Sequence, residues 1–414
     1  MSRQRVLAGI DIGCSGVKCA IALDTPGEMP EIAGVGIAPC SGHIRQGVLI
    51  NAGVASEAVR RAVEEAEQTS GLEIESAWAG ITGLHVRGML SSHTNQISEN
   101  RNGEPEKITW DMIRKVVKAA ENINLPSGCR ILERKVRDYS FDGFTEIPEP
   151  PLGLIAASVQ ARVFTIYADR ISTDNLVSVI ADAGVDVEGV IPSSVASAEA
   201  VLNDDEKMVG TVVVDIGASN TDMVIFHRGS PVYISSFAMG GNRITSDIQS
   251  LGISWAEADK IKKESVTAIK MFAESKELSV RKVGGRRSVS ISLPVLVQIA
   301  SSRVEEMFSY VSEEIVASGL SPESLTGGIV VTGGGARMNG ILKAASEITG
   351  HQVEPGVPRG ITSDSKLVCI PEMATAVGLV VHGAGSSGTG FSTGRKTETG
   401  RMIRKFREFI NKLK

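Results

Sequence analysis

GTVVVDIGASNTDMVIFH, residues 210–227, decides the fold. Val212, Val213 and Val214 form an apolar run of high β-propensity. Asp215, Gly217 and Ala218 break it with an acid and two small residues, and residues 223–226 resume the run. The pattern predicts strand, tight turn, strand, with a carboxylate at the mouth of the turn. The chain opens on the same pattern. Residues 6–23 read VLAGIDIGCSGVKCAIAL, with Asp11 and Gly13 standing where Asp215 and Gly217 stand 204 positions later. Two such hairpins predict a duplicated domain with a site between the copies. Backbone N–H groups of a small-residue turn can surround phosphoryl oxygens, and a large side chain would block that approach. Carboxylates beside phosphate require a divalent cation or its waters between them. Residues 328–336, GIVVTGGGA, add a strand ending in three glycines, then a helical pattern through Met338, Ile341, Leu342, Ala345 and Ile348. Glycines at such a junction let backbone approach a flat base or a ribose. One hairpin alone reads equally well as an ordinary Asp-Gly turn; the pair and the triple glycine together point to a bound nucleotide. The spacing is not the dinucleotide fingerprint.

At 414 residues the chain is long for one core, and two domains are expected. Hydrophobic residues make up 42% and charged residues 22%, the balance of a globular α/β protein. Aromatics are only 4% and net charge is −5, so neither a stacking platform nor a basic surface favours nucleic acid. The five cysteines, Cys14, Cys19, Cys40, Cys129 and Cys369, are scattered and read as reduced thiols. No Cys/His spacing suits a metal. Asp11 interrupts the first apolar stretch, so no signal peptide is expected, and no run is long enough to cross a bilayer.

Strands then helix at residues 1–84 predict α/β organisation, with a helix over 52–70 closed by Gly71. Residues 85–158 change texture and read as an insert. They hold a polar stretch at 91–106, a helix over 109–123 capped by Thr109, and a proline-rich linker at 146–151. Residues 159–193 return to the first core, and 194–243 carry the second hairpin. A second insert, 244–311, is expected to be helical over 256–273 and to hold a basic hairpin around Gly284. A long helix begins within it at 295 and runs to 317. Residues 312–382 complete the second core and end in a helix over 371–382. Residues 383–400, GAGSSGTGFSTGRKTETG, have no side chains able to build a core and read as a flexible tether.

The last segment, residues 401–414, is a candidate membrane anchor. Met402, Ile403, Phe406, Phe409, Ile410 and Leu413 fall on one helical face. Six basic residues, Arg404 and Lys405 among them, against Glu408 give it a charge of +5, so the rest of the chain carries −10. A helix of this length spans about 21 Å, too short to cross a bilayer and suited to lie in its interface. The arginines and lysines would meet anionic headgroups while Phe406 and Phe409 enter the acyl boundary. The plain alternative is a helix docked on the body of the protein.

The Asp-x-Gly hairpin pair and the Gly333-Gly334-Gly335 loop resemble the actin, Hsp70 and sugar-kinase superfamily of ATP-binding proteins. Within it the chain resembles the FtsA family of bacterial cell-division proteins over nearly its whole length. Residues 239–248, MGGNRITSDI, resemble that family's Gly-Gly…Thr-x-Asp-Ile box. Ala256, Glu257 and Lys260 resemble its Ala-Glu-x-x-Lys helix, and residues 371–379 its closing motif. Cys14 stands where the family usually has threonine, and residues 218–221 (ASNT) where it has more glycine and threonine.

The resemblance implies an actin-like fold, with two duplicated ATP-binding core domains, an inserted subdomain in each and a tethered C-terminal amphipathic helix. It implies ATP and Mg2+ as ligands. Asp11 and Asp215 would face the metal through water. Gly13, Cys14, Ser15, Gly217, Ala218 and Ser219 would line the phosphates. Lys18 would either reach a phosphate or point outward from its strand. Gly241, Glu257 and Lys260 would flank the ribose, and Gly334 and Gly335 would back the adenosine. Glu257 and Lys260 alone would read as a solvated helix face. No residue is identified as positioning an attacking water, so turnover is expected to be slow.

The resemblance also implies self-polymerisation, recruitment of later division proteins through the first insert, and a peripheral place on the cytoplasmic side of the cell membrane at the division site. The basic second insert, with Arg286, Arg287 and Arg303, suits an acidic-hydrophobic peptide. The resemblance names the FtsZ C-terminal peptide as its source. A sugar kinase or a pilus-assembly adaptor on the same core is the alternative function.

Overall fold

The structure is a computed structural model that describes residues 4–97, 105–270, 276–284 and 288–386. β1 (Arg5–Ile12) turns into β2 (Gly16–Asp24), and β3 (Glu31–Pro39) returns beside it. A small hairpin, β4 (Ile44–Arg45) and β5 (Val48–Leu49), leads into α1 (Ala52–Ser70) and β6 (Ser76–Ile81). Helix α1 forms because Ala55, Ala58, Val59, Ala62, Val63 and Ala66 recur on one face, and all are buried. Left-handed Gly71 closes it, as the sequence predicts, and Asn51 accepts from the Val54 N–H at its start.

The first insert follows. It comprises β7 (Arg87–Gln96), β8 (Glu106–Lys107), α2 (Trp110–Glu121), β9 (Cys129–Phe141), β10 (Phe144–Ile147), β11 (Ile155–Ala156) and β12 (Ser158–Asp169). Its sheet runs β10-β9-β12-β7, covered by α2 over Ile97, Ile108, Ile113, Val116, Tyr139 and Val159. The polar stretch from residue 91 contains the second half of β7. Pairing with β12 from Ser158↔Gln96 to Tyr167↔Arg87 overrides its weak propensity. Because β12 lies between β7 and β9 along its length, the inserted sheet continues to Asp169, past residue 158.

The chain then makes α3 (Arg170–Asp182), β13 (Asp186–Pro192), α4 (Ser193–Val201) and α5 (Asp204–Val209). The second lobe begins with β14 (Thr211–Ile216), β15 (Thr221–His227) and β16 (Ser230–Phe237). It continues through α6 (Gly241–Gln249), α7 (Trp255–Glu264), β17 (Glu277–Arg281), β18 (Ser288–Ser292) and α8 (Leu293–Ala317). It ends with β19 (Ile329–Thr332), α9 (Ile341–Thr349), β20 (Val353–Pro355) and α10 (Ala374–Gly385). The helix expected over 256–273 stops at Glu264. Beyond it Thr267 bridges to Asn339 while Val266, Ala268 and Ile269 are buried, so tertiary pairing replaces helix.

The two core sheets share one plan. The first runs β13-β6-β1-β2-β3 and the second β20-β19-β14-β15-β16. In each, the opening strand pairs antiparallel with the next and parallel with the one that follows the crossover. This is the duplication that the two hairpins predict. Helices α4 and α10 lie between the lobes. Helix α4 has almost no exposed face, and a Cβ on Gly378 of α10 would lie 1.7 Å from the Ala196 carbonyl oxygen of α4. Only glycine permits that approach. Sequence marks neither helix as a junction, because both read simply as apolar. Among the described residues no helix is long and apolar enough to cross a membrane.

Candidate nucleotide site

The turns of the two Asp-x-Gly hairpins meet across the cleft between the lobes. The first is closed by Gly13 N–H on the Gly16 carbonyl (3.1 Å), the second by Gly217 N–H on the Asn220 carbonyl (2.9 Å). The Cys14 thiol and the Ser219 hydroxyl are in hydrogen-bond contact, so the turns face each other directly. The carbonyls of Gly217 and Ala218 accept from Gly241 and Asn242 at the start of α6, which binds the outer side of the second turn. Gly241 is thus placed behind the phosphate turn. Among the described residues no protein group accepts from the backbone N–H of Cys14, Ser15, Ala218 or Ser219.

Three carboxylates stand at the strand ends below these turns. Asp11 is buried and pairs with Lys18, its register partner on β2, at 2.9 Å. Lys18 therefore does not point outward. Burial works against its charge, but the Asp11, Asp215 and Glu372 carboxylates outweigh that and hold its ammonium above the usual value. Asp215 accepts from Ser197 of α4 at 2.6 Å and from Thr375 of α10 at 3.2 Å. Burial pushes its carboxyl up, against the Ser197 hydrogen bond, and the Asp11 charge adds to the rise.

The third carboxylate, Asp222, escapes the motif reading. It is the register partner of Asp215 and occupies the position that Lys18 holds in the first hairpin. It accepts a hydrogen bond from Thr82 at the end of β6, across the cleft. Burial raises its carboxyl to about 6, with Asp215 and Asp11 adding to the effect. The signal was present in the sequence. Both Lys18 and Asp222 stand seven residues after the first aspartate of their hairpin, so aligning the hairpins exposes a Lys/Asp exchange.

The glycine loop comes against the same centre. Gly333 is left-handed at φ 78°, and a Cβ there would lie 2.2 Å from Asp215 Oδ1. A Cβ on Gly335 would lie 2.2 Å from the Ile216 side chain. Gly334 faces Glu372, which pairs with Arg337 at 2.8 Å. Glu257 is half-buried in the first turn of α7, and Lys260 is exposed. It is Lys262 that turns inward, onto the Gly241 carbonyl, Thr245 and Asp259. Burial lowers its ammonium despite Asp259. Arg303 is tied to Asp247 of α6 and to Glu306. Arg286, Arg287 and the terminal segment with Met402, Ile403, Phe406, Phe409, Ile410 and Leu413 lie outside the described residues.

Two lobes of one plan, packed across α4 and α10 with the paired Asp-x-Gly turns between them, define an actin-like protein of the actin/Hsp70 ATPase superfamily. Comparison with known proteins narrows the class. The family described as "Cell division protein FtsA" matches residues 212–378, and the "SHS2 domain inserted in FTSA" matches residues 83–167. The cell-division protein FtsA of Pseudomonas aeruginosa is 31% identical over 94% of this chain and 91% of its own length. The chain belongs to the FtsA family, and it is an actin-like cell-division protein. Solved structures agree on the fold. A chain of the PilM–PilN type IV pilus biogenesis complex matches with a TM-score of 0.63 at 16% identity, over 92% of this chain and 99% of that one. MreB5 of Spiroplasma citri, bound to ADP, matches at 0.50 and 13% identity, over 91% of this chain and 94% of that one. The pilus likeness is one of fold alone, and the sequence match to FtsA separates the two functions.

Proposed function

We propose that this chain binds ATP with magnesium in the cleft between its lobes, assembles with itself on the cell membrane, and anchors FtsZ there. One observation carries the nucleotide reading. Two opposed turns bring four N–H groups, without a protein acceptor among the described residues, to the two sides of a single contact. Phosphoryl oxygens are charged acceptors that suit such turns. The glycine loop packs on the same centre, since a Cβ at Gly333 or Gly335 would overlap Asp215 Oδ1 or the Ile216 side chain.

Gly13, Cys14, Ser15, Gly217, Ala218 and Ser219 then line the phosphates. Asp11 and Asp215, joined by Asp222, hold magnesium through its waters. Bound magnesium supplies positive charge that offsets the phosphates. Lys18, paired with Asp11, adds a fixed cation beside them. Glu257 and Lys260 flank the ribose, Gly334 and Gly335 back the adenosine, and Gly241 supports the second turn from behind. Hydrolysis is slow, and the nucleotide acts as a conformational switch.

The basic second insert, with Arg286, Arg287 and Arg303, takes the acidic C-terminal peptide of FtsZ. The first insert recruits later division proteins. Residues 401–414 bind anionic lipid weakly one at a time and firmly when several are joined in a filament. Calorimetry of purified protein with ATP and magnesium tests the cleft, and an absence of binding overturns it. An Arg286→Glu, Arg287→Glu, Arg303→Glu variant that still retains the FtsZ peptide as wild type does would remove the peptide assignment.

A further inference from the structure

The tip of the β4–β5 hairpin reaches the junction of the two phosphate turns. Gln46 and Gly47 form that tip, and both are left-handed, at φ 50° and 79°. For glutamine this conformation is strained, and such strain persists only where surrounding structure enforces it. The enforcing contacts are specific. A Cβ on Gly47 would lie 2.1 Å from the Thr82 carbonyl oxygen, and a Cβ on Gly83 would lie 2.9 Å from that of Gln46. The tip is thus pressed onto the end of β6, where Thr82 holds Asp222. From there the Gln46 backbone N–H crosses to the second lobe and donates to the Ser219 hydroxyl at 3.2 Å. The same hydroxyl contacts Cys14 of the first turn. Ser219, itself in the second turn, therefore gathers one group from the first turn and one from the hairpin.

We propose that the Gln46–Gly47 tip is a third phosphate-facing segment, whose Gln46 N–H donates to the terminal phosphoryl group of a bound nucleoside triphosphate. The inference rests on the nucleotide reading of the cleft. A phosphoryl oxygen that displaces the Ser219 hydroxyl from Cys14 and from the Gln46 N–H is a stronger acceptor than that hydroxyl, because it is charged. Its position along the phosphate chain follows from the lobes. Every residue assigned to the adenosine side, from Glu257 to Gly335, belongs to the second lobe, whereas the tip belongs to the first. The phosphate within reach of the tip is the one farthest from the adenosine. The segment therefore distinguishes triphosphate from diphosphate.

The test compares MgATP with MgADP by calorimetry on the full chain. Gly47→Val lifts the tip, because its Cβ meets the Thr82 carbonyl. It should lose about tenfold in ATP affinity, the worth of one charge-assisted hydrogen bond, and bind ADP as wild type does. Gln46→Gly keeps the N–H and relaxes the strain, so it should bind both nucleotides as wild type does. In wild-type protein, amide hydrogen exchange over 44–49 should slow more with a non-hydrolysable ATP analogue than with ADP. That readout needs no variant to fold. Equal losses of ATP and ADP in Gly47→Val, unchanged ATP binding there, or equal exchange with both nucleotides each overturn the proposal. Loss of ATP in Gln46→Gly also overturns it, since the side chain would then be the contact. Wild-type protein that binds neither nucleotide overturns the reading of the cleft itself.

Discussion

Replacing Asp222 with asparagine should stabilise the nucleotide-free protein at neutral pH and do little in acid. The carboxyl stands in the cleft with its value raised to about 6 by burial, beside Asp215 and Asp11. In the unfolded chain it returns to about 4. Between these values the folded state binds more protons than the unfolded one, so stability falls as pH rises through the window. The gap corresponds to ~3 kcal/mol at pH 7.5, and about half of that at pH 5, at 1.36 kcal/mol per tenfold change in proton affinity. Asparagine is isosteric and still accepts from Thr82, so it removes the ionisation without removing the hydrogen bond. Thermal unfolding followed by circular dichroism at both pH values reads the difference, at roughly 2–4 °C per kcal/mol. The advantage of the variant should be clearly larger at pH 7.5. An advantage that does not change with pH, or a variant less stable at both values, would refute the electrostatic account of this carboxylate.

Gly333→Ala sets a methyl 2.2 Å from Asp215 Oδ1 in a left-handed conformation. It should cost ~2–4 kcal/mol and abolish ATP binding, and an unchanged melting midpoint would contradict the packing. Asp138→Ala removes a buried carboxylate that holds Arg162 at 2.5 and 2.8 Å and lies beside Arg137. Leaving Arg162 with the more distant Glu146 at 3.7 Å and taking the carboxylate from Arg137 should cost about 3 kcal/mol in urea unfolding, and a loss near zero would count against the network. Phe406→Glu with Phe409→Glu should free the protein from anionic vesicles in flotation while calorimetry shows ATP binding unchanged. Flotation equal to wild type would end the anchor assignment.

Periodic pattern and small-residue spacing are local properties, and they made much of this protein legible before any coordinates. The duplicated Asp-x-Gly hairpins, the Gly333–Gly335 loop, helix α1 with its Gly71 cap, and the insertion after β6 all follow from residues near one another in the chain. The rest depends on partners that sequence does not place together. β7 is a strand because β12, about seventy residues away, pairs with it. Residues beyond Glu264 leave the helix because Thr267 and Ala268 find Asn339. Asp222 and Lys18 differ in kind yet share one site, because register places each beside its own aspartate and only the closed cleft brings the hairpins together. The contact of Gln46 with Ser219 spans 173 positions. A hydrogen bond between lobes leaves no periodic trace in either segment, so the tertiary structure alone decides it.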